Sequence, residues 1–338
     1  MTRQERINSF GQLREKIIRM TPEEKQLLFD QAANENPWFT ADNVSQALLS
    51  ISQLLNQQKL EEWANHYSMD TVNPKRVGVV MAGNIPMVGF HDLLCVLISG
   101  HHLMAKLSSG DTVLMKFLIQ SLVDIHPSFA NYISVAERLN QAQAVIATGS
   151  DNTSRYFEYY FRNIPHIIRK NRTSCAVILG EESRDELLLL GKDVFSYFGL
   201  GCRNVSKVFV PDGFDFALLI ESWHSFQPII HHHKYANNYD YQKSILLINQ
   251  VPFFDSGFSL ITENKNTVSP ISVMYYETYA NQDELNSKIQ LYTEKIQCIV
   301  AAQGWFAKSI PFGNAQLPEV NDYADGVDTM KFLQSLSK

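Results

Sequence analysis

From Arg76 onward the sequence alternates short β-branched runs with helix-length amphipathic stretches, and this alternation leaves few architectures open. The run Val77-Gly78-Val79-Val80-Met81 stops at Ala82-Gly83-Asn84-Ile85-Pro86, residues 87–98 have helical periodicity, and 103–107 read as a second strand. Residues 108–111 form a turn and cap before a helix over 113–125. Further strands are predicted at 132–136 and 144–147, the latter running into Thr148-Gly149-Ser150-Asp151 and a helix through Phe161. Strands spaced this way by helices imply parallel βαβ units with right-handed crossovers. Such sheets bind ligands beyond the carboxyl ends of their strands, where Gly-containing turns open helices. After Arg172 the pattern restarts, with strands at 174–179, 205–210, 271–276 and 296–301 and a helix over 184–198. Residues 212–268 read as irregular, aromatic and His-rich.

The first seventy residues read as helices packed on a later sheet. Thr21 caps ahead of Pro22, Thr40 or Asp42 starts another helix, and Val44, Leu48, Ile51 and Leu55 make an apolar stripe. With 338 residues, 45% of them hydrophobic, the chain can bury a large core. Its net charge is −6, from 29 basic and 35 acidic residues, which gives no whole-chain drive toward nucleic acid or anionic lipid. No apolar run approaches the ~18 residues of a membrane span, and the N-terminus lacks a signal-peptide apolar region. A cytoplasmic globular enzyme is therefore expected.

Four cysteines are scattered without metal-ligand spacing, so no metal is expected. Cys95, Cys175 and Cys298 lie in apolar runs and read as small buried hydrophobes. Cys202 differs. In Phe198-Gly199-Leu200-Gly201-Cys202-Arg203-Asn204, two glycines allow a sharp turn and Arg203 favours a thiolate. A nucleophile is the stronger reading; a helix cap that happens to contain Cys is the other. His231-His232-His233 diverge in direction and lack a carboxylate or Cys partner, so they read as a loop. Glu277, a charge in an apolar strand, stands either at its exposed end or in a site.

The segment GLGCRNVSKVFVP resembles the nucleophile segment of the aldehyde dehydrogenase superfamily. GVVMAGNIPMVGF, HHLMAKLSSGD and AVIATGSDNTSRYF resemble, in order, its Pro-Trp-Asn-Phe-Pro turn, its Lys-containing cofactor strand and its Phe-Thr-Gly-Ser turn. More closely, GNIP, KLSS, FGLGCRN, SPISVMYYETY and PFGNAQLPEVNDYADGVDTMKFL are similar to the LuxC-like fatty acyl-CoA reductases. The resemblance implies an aldehyde-dehydrogenase-like α/β fold. A Rossmann-type cofactor domain behind the N-terminal helical layer would occupy residues 1–173, and an α/β catalytic domain 174–338. It also implies a homo-oligomer, although the chain is short for the superfamily and the oligomerisation arm is a candidate for trimming.

Residue by residue, the resemblance makes Cys202 the nucleophile and Asn84 the oxyanion donor. It sets Thr148, Gly149 and Ser150 at the cofactor pyrophosphate, and Lys106, Ser108 and Ser109 at the adenosine ribose. Taken alone, Asn84 reads as a turn former and Thr148-Gly149-Ser150-Asp151 as a helix cap. NAD-preferring relatives carry Glu where Ser109 stands, so NADP(H) is expected to be preferred over NAD(H). Hydrolytic relatives carry a general-base Glu in a segment matched here by residues 166–174, which contain no carboxylate. The slot falls at or near Ile168. That departure implies reduction of an acyl-CoA to a fatty aldehyde rather than oxidation of an aldehyde to an acid. If residues 166–168 are extended, His166 shares a face with Ile168 and becomes the nearest acid–base candidate. The aromatic residues of 223–258 would either line an acyl chain or form ordinary core. Two alternatives stand beside this reading: a carboxylate-forming aldehyde dehydrogenase with a relocated base, and a non-catalytic shortened relative acting as a binding subunit.

Overall fold

The computed structural model describes residues 1–67 and 73–337, so the helical reading of residues 68–70 lies outside it. The chain divides into two units, Met1–Asn171 joined by the segment from Leu317, and Arg172–Gln316. The segment from Leu317, expected in the second domain, therefore belongs to the first.

Four helices open the first unit: α1 (Arg3–Ile18), α2 (Pro22–Glu35), α3 (Ala41–Leu54) and α4 (Gln57–Asn65). Thr21 caps α2 through a reciprocal box with Glu24, and Thr40, rather than Asp42, caps α3 by accepting from the Asn43 N–H. The strands and helices that follow are β1 (Arg76–Val80), α5 (Phe90–Ile98), β2 (His102–Lys106), α6 (Thr112–Ile125), β3 (Ile133–Val135), β4 (Ala144–Thr148), α7 (Asp151–Phe161) and β5 (His166–Arg169). They build a wholly parallel sheet of order β3-β2-β1-β4-β5, with β1 in the centre. In this doubly wound arrangement the loops after β1, β2 and β4 share one edge. The helical layer covers one side of it: Phe10 of α1 meets Phe90 and Phe129 edge-on at 6.3 and 6.1 Å, and the Arg6 guanidinium donates to the Ile98 carbonyl.

The second unit runs through β6 (Thr173–Val177), α8 (Arg184–Phe195), β7 (Val205–Pro211), α9 (Phe216–Ser222), α10 (His233–Ile248), β8 (Phe254–Asp255), β9 (Leu260–Glu263), β10 (Val273–Tyr279), α11 (Gln282–Leu291), β11 (Ile296–Ala301) and β12 (Ile310–Pro311). Its sheet order is β12-β11-β6-β7-β10-β9-β8, parallel except for β8 against β9. One face is covered by α8 and α9 through Leu190, Val208, Leu219 and Trp223. The last helix, α12 (Thr329–Ser335), belongs to the first unit. Two elements depart from the sequence reading. α8 ends at Phe195 instead of continuing to Phe198, because Tyr197, Phe198 and Gly199 all take left-handed conformations. Residues 233–248, read as irregular, form a full helix whose buried residues are only Tyr235 and Tyr239, too narrow a stripe to register as periodicity.

Candidate active site

The carboxyl edge of the first sheet gathers most of the residues singled out in the sequence. β1 ends at Val80, level with Lys106 of β2 and Ala147 of β4. The turns that follow carry Asn84, Ser108 and Ser109, and Thr148, Gly149 and Ser150. Asn84, Lys106, Ser109 and Ser150 are exposed, while Ser108, Thr148 and Gly149 are half-buried. A Cβ on Gly83 would collide with the Ser108 side chain, so glycine is what lets the first turn lie on the second. The Asn36 amide ties the same two turns by donating to the carbonyls of Gly83 and Gly110 at 3.4 and 3.2 Å. Glu35, next to it, accepts from the Thr112 and Val113 N–H groups at 2.8 and 2.9 Å and so caps α6 from another helix. The Ser150 hydroxyl accepts from the Thr153 N–H at 3.2 Å, the cap expected of the turn into α7. Lys106 donates its ammonium to the Glu137 carbonyl at 2.9 Å and remains exposed. A glycine-tight edge, a helix N-terminus and an exposed lysine make this a place that suits an anionic group.

Asp111 holds this edge from beneath. It is fully buried and accepts from the N–H of Met87 at 2.8 Å, fixing the left-handed conformation of that residue at the end of the Asn84 turn. Burial pushes its carboxyl up to about 8, with the charge of Glu35 adding and the Met87 N–H opposing. The folded chain therefore keeps a proton that the unfolded chain releases above about pH 4. Stability falls as pH rises from about 4 to about 8, by up to about 1.4 kcal/mol per unit. Asp111→Asn preserves the acceptor for Met87 and is expected to flatten this dependence, raising Tm at pH 8 while leaving it nearly unchanged at pH 5. Thermal unfolding at both pH values checks it.

In the second unit, Cys202 is half-buried on a turn at the amino end of β7. The Asn204 N–H donates to the Gly201 carbonyl at 3.0 Å and closes the turn. The buried Asn204 side chain accepts from the Gly201 N–H at 2.8 Å and donates to the carbonyls of Asp193 and Ser196 at 3.0 and 2.8 Å. Ser174 of β6 donates its hydroxyl to the Cys202 carbonyl at 3.0 Å. Ahead of the turn, Phe198 meets the His232 ring at a tilt of 36°, with centroids 4.4 Å apart. Asn204 and Ser174 were not singled out in the sequence; a polar residue closing a Gly-x-x-Asn turn is the signal that marks the first.

His166 is exposed at the amino end of β5, level with Val145, and its Nδ1–H donates to the Ile164 carbonyl at 2.9 Å. It thus stands at the opposite end of the strands from Thr148 and Lys106. The residue level with Thr148 is Arg169, whose carbonyl accepts from the Gly149 N–H. The guanidinium of Arg169 is buried, paired with Asp92 at 2.5 Å and donating to the Thr329 hydroxyl at 2.9 Å. Among the remaining cysteines, burial pushes the thiols of Cys95 and Cys175 up, whereas Cys298 is only half-buried, its sulfur 3.0 Å from the Ser174 hydroxyl. Among the described residues no three His, Cys, Asp or Glu side chains group as metal ligands. Trp223, Tyr235 and Tyr239 are core, while Tyr241 and Phe254 are exposed. Glu277 is a buried partner of Lys207 at 2.6 Å, and it lines a cavity of about 540 Å³ at the carboxyl ends of β9 and β10, the edge opposite Cys202.

A protein-family model described as acyl-CoA reductase (LuxC) matches residues 13–213. No curated protein matches the sequence. Aldehyde dehydrogenase 21 of Physcomitrella patens, solved with succinate, is similar at TM-score 0.70 and 10% identity, over 99% of this chain and 84% of that one. An aldehyde dehydrogenase of Mycobacterium tuberculosis complexed with NAD+ gives 0.64 and 11%, over 89% and 73%. Aldehyde dehydrogenase C of Pseudomonas syringae, bound to NAD+ and octanal, gives 0.65 and 10%, over 89% and 72%. Among the described residues no helix is long and apolar enough to cross a membrane.

Proposed function

The chain belongs to the acyl-CoA reductase (LuxC) family and carries the aldehyde dehydrogenase fold, and from that premise we propose that it reduces a fatty acyl-CoA to the aldehyde with NADPH through a thioester on Cys202. The observation that carries this reading is the Cys202 turn, the one cysteine setting with glycines before it, a cation after it and a side chain built to hold it. The Cys202 thiolate attacks the thioester carbonyl carbon, forming a new C–S bond. The Asn84 amide and the Cys202 N–H donate to the carbonyl oxygen as it gains charge, a contribution of ~2.7–4 kcal/mol for one such donor. The tetrahedral centre then expels CoA as its thiolate. Lys106, Ser108, Ser109 and the Thr148–Ser150 turn hold NADPH, which when bound supplies the hydride that reduces the acyl-enzyme. Cys202 departs as thiolate from the resulting hemithioacetal and releases the aldehyde.

Residues 166–174 contribute no carboxylate to activate water, and the acids that contact them, Asp92 and Glu158, are paired with Arg169 and Lys170. The acyl-enzyme is thereby spared hydrolysis. His166, at the amino end of β5, takes no step in this scheme. Mass spectrometry after mixing with an acyl-CoA should find the acyl mass on Cys202, and NADPH should discharge it. An unmodified Cys202 sinks the proposal.

Cofactor choice follows from charge. Without a carboxylate at Ser109 to repel a 2′-phosphate, and with Lys106 exposed to attract one, kcat/KM for NADPH should exceed that for NADH by about tenfold or more. Lys106→Met should erase most of the difference by raising KM for NADPH alone. A higher kcat/KM for NADH in the unaltered chain would reverse the assignment.

A further inference from the structure

Asp193 lies in the last turn of α8 with 1% of its surface exposed. Both carboxylate oxygens accept backbone N–H groups from the loop after β12: Oδ2 from Gly313 at 2.7 Å and Oδ1 from Ala315 at 2.9 Å. The carbonyl of Ala315 in turn accepts from the Arg203 guanidinium, the neighbour of Cys202. On its other side the turn is tied to the same helix end, where the Asp193 carbonyl accepts from the Asn204 amide. Two lines of hydrogen bonds thus leave the turn, one neutral and one through a charged residue, and both end on Asp193.

A buried carboxylate is costly to keep, and these two N–H groups do not require a charge for the fold's sake. They do require two acceptor atoms on one short side chain. Asparagine has one, and its amide would face the second N–H. Asp193 also lies on the apolar stripe of α8, three residues after Leu190, where a helix packed on Val208, Leu219 and Trp223 would otherwise take a hydrocarbon.

We propose that Asp193 is a positioning residue for Cys202, its carboxylate fixing the 313–315 backbone, which in turn fixes Arg203, the residue next to Cys202 in the turn. This rests on reading Cys202 as the nucleophile. The charges acting on Asp193 are Arg203 from the turn and Lys192 from its own helix. The loop facing it presents backbone N–H groups, and the helices and strand packed on α8 present apolar side chains. Burial raises the carboxyl to about 6 against the pull of the two N–H groups, so the clamp loosens as pH falls through that value.

The test is the rate at which iodoacetamide alkylates Cys202 in the full chain from pH 5 to pH 9, read by peptide mass spectrometry. The unaltered protein should show two ionisations, one near pH 6 and one for the thiol. Asp193→Asn should lose the step near pH 6 and react at least fivefold more slowly at pH 8, and Asp193→Glu should restore the step. Should the Asn variant not fold, Arg203→Gln breaks the same link with Asp193 in place and should be slowed alike. A folded variant that alkylates at the unaltered rate with an unaltered profile overturns the proposal. If Cys202 alkylates as described but takes no acyl group from acyl-CoA, the positioning role stands and the acyl-CoA reading falls. A Cys202 inert to iodoacetamide overturns both.

Discussion

Cys202→Ala will leave a folded protein that forms no acyl adduct, with turnover lower by on the order of 10³-fold or more. The expectation comes from what surrounds each thiol. Cys95 and Cys175 are buried, with burial holding both thiols protonated. Cys298 is the instructive comparison, because the Ser174 hydroxyl that holds the Cys202 carbonyl also lies 3.0 Å from the Cys298 sulfur. It borders the same strand but lacks the glycine turn and the cation. Cys298→Ala should therefore keep the adduct and most of the activity. Intact-mass and peptide spectra of the two variants after acyl-CoA treatment decide the matter, and an adduct mapping to Cys298 would move the chemistry to that residue.

Arg169→Met is expected to cost about 3–5 kcal/mol of stability, the largest loss foreseen for any single side chain outside the apolar core. Removing the guanidinium leaves Asp92, whose side chain is 7% exposed, as an uncompensated buried charge. It also removes the donor to Thr329, the first residue of α12. Burial alone would lower the proton affinity of Arg169, but the adjacent Asp92 outweighs it and holds the cation charged. Urea unfolding of the single variants and of Asp92→Asn/Arg169→Met checks the coupling. The double variant should recover much of the loss, because neither partner is then left alone. A midpoint unchanged in Arg169→Met would show that the pair contributes nothing net.

Much of the fold was legible because the information was local. The β-branched runs around Val79 and Ile146 and the glycine turns after them state strand and stop within a dozen residues. The Cys202 turn was legible for the same reason, since its glycines and cation are contiguous. What the sequence hid is long-range. Nothing near Asp193 says that Gly313 and Ala315 will meet it, and nothing near Asp111 says that Met87 will. α10 was missed because its two buried tyrosines, Tyr235 and Tyr239, make a stripe one residue wide among polar neighbours. Arg169 was overlooked at the general-base slot because a basic residue beside Lys170 and Arg172 reads as solvated, and only the partner on α5 makes it a buried one.

The left-handed run at Tyr197, Phe198 and Gly199 bears on how this protein would respond to selection for heat resistance. Two aromatic residues there hold conformations that glycine adopts freely, at a cost of about 1–2 kcal/mol each. A library screened only for survival at high temperature would be drawn to these two positions. It would relax the bend by which Phe198 reaches His232 and the chain reverses ahead of Cys202. Robust descendants of such a screen are therefore predicted to include well-folded, inactive proteins, with the lesion a few residues upstream of an intact Cys202.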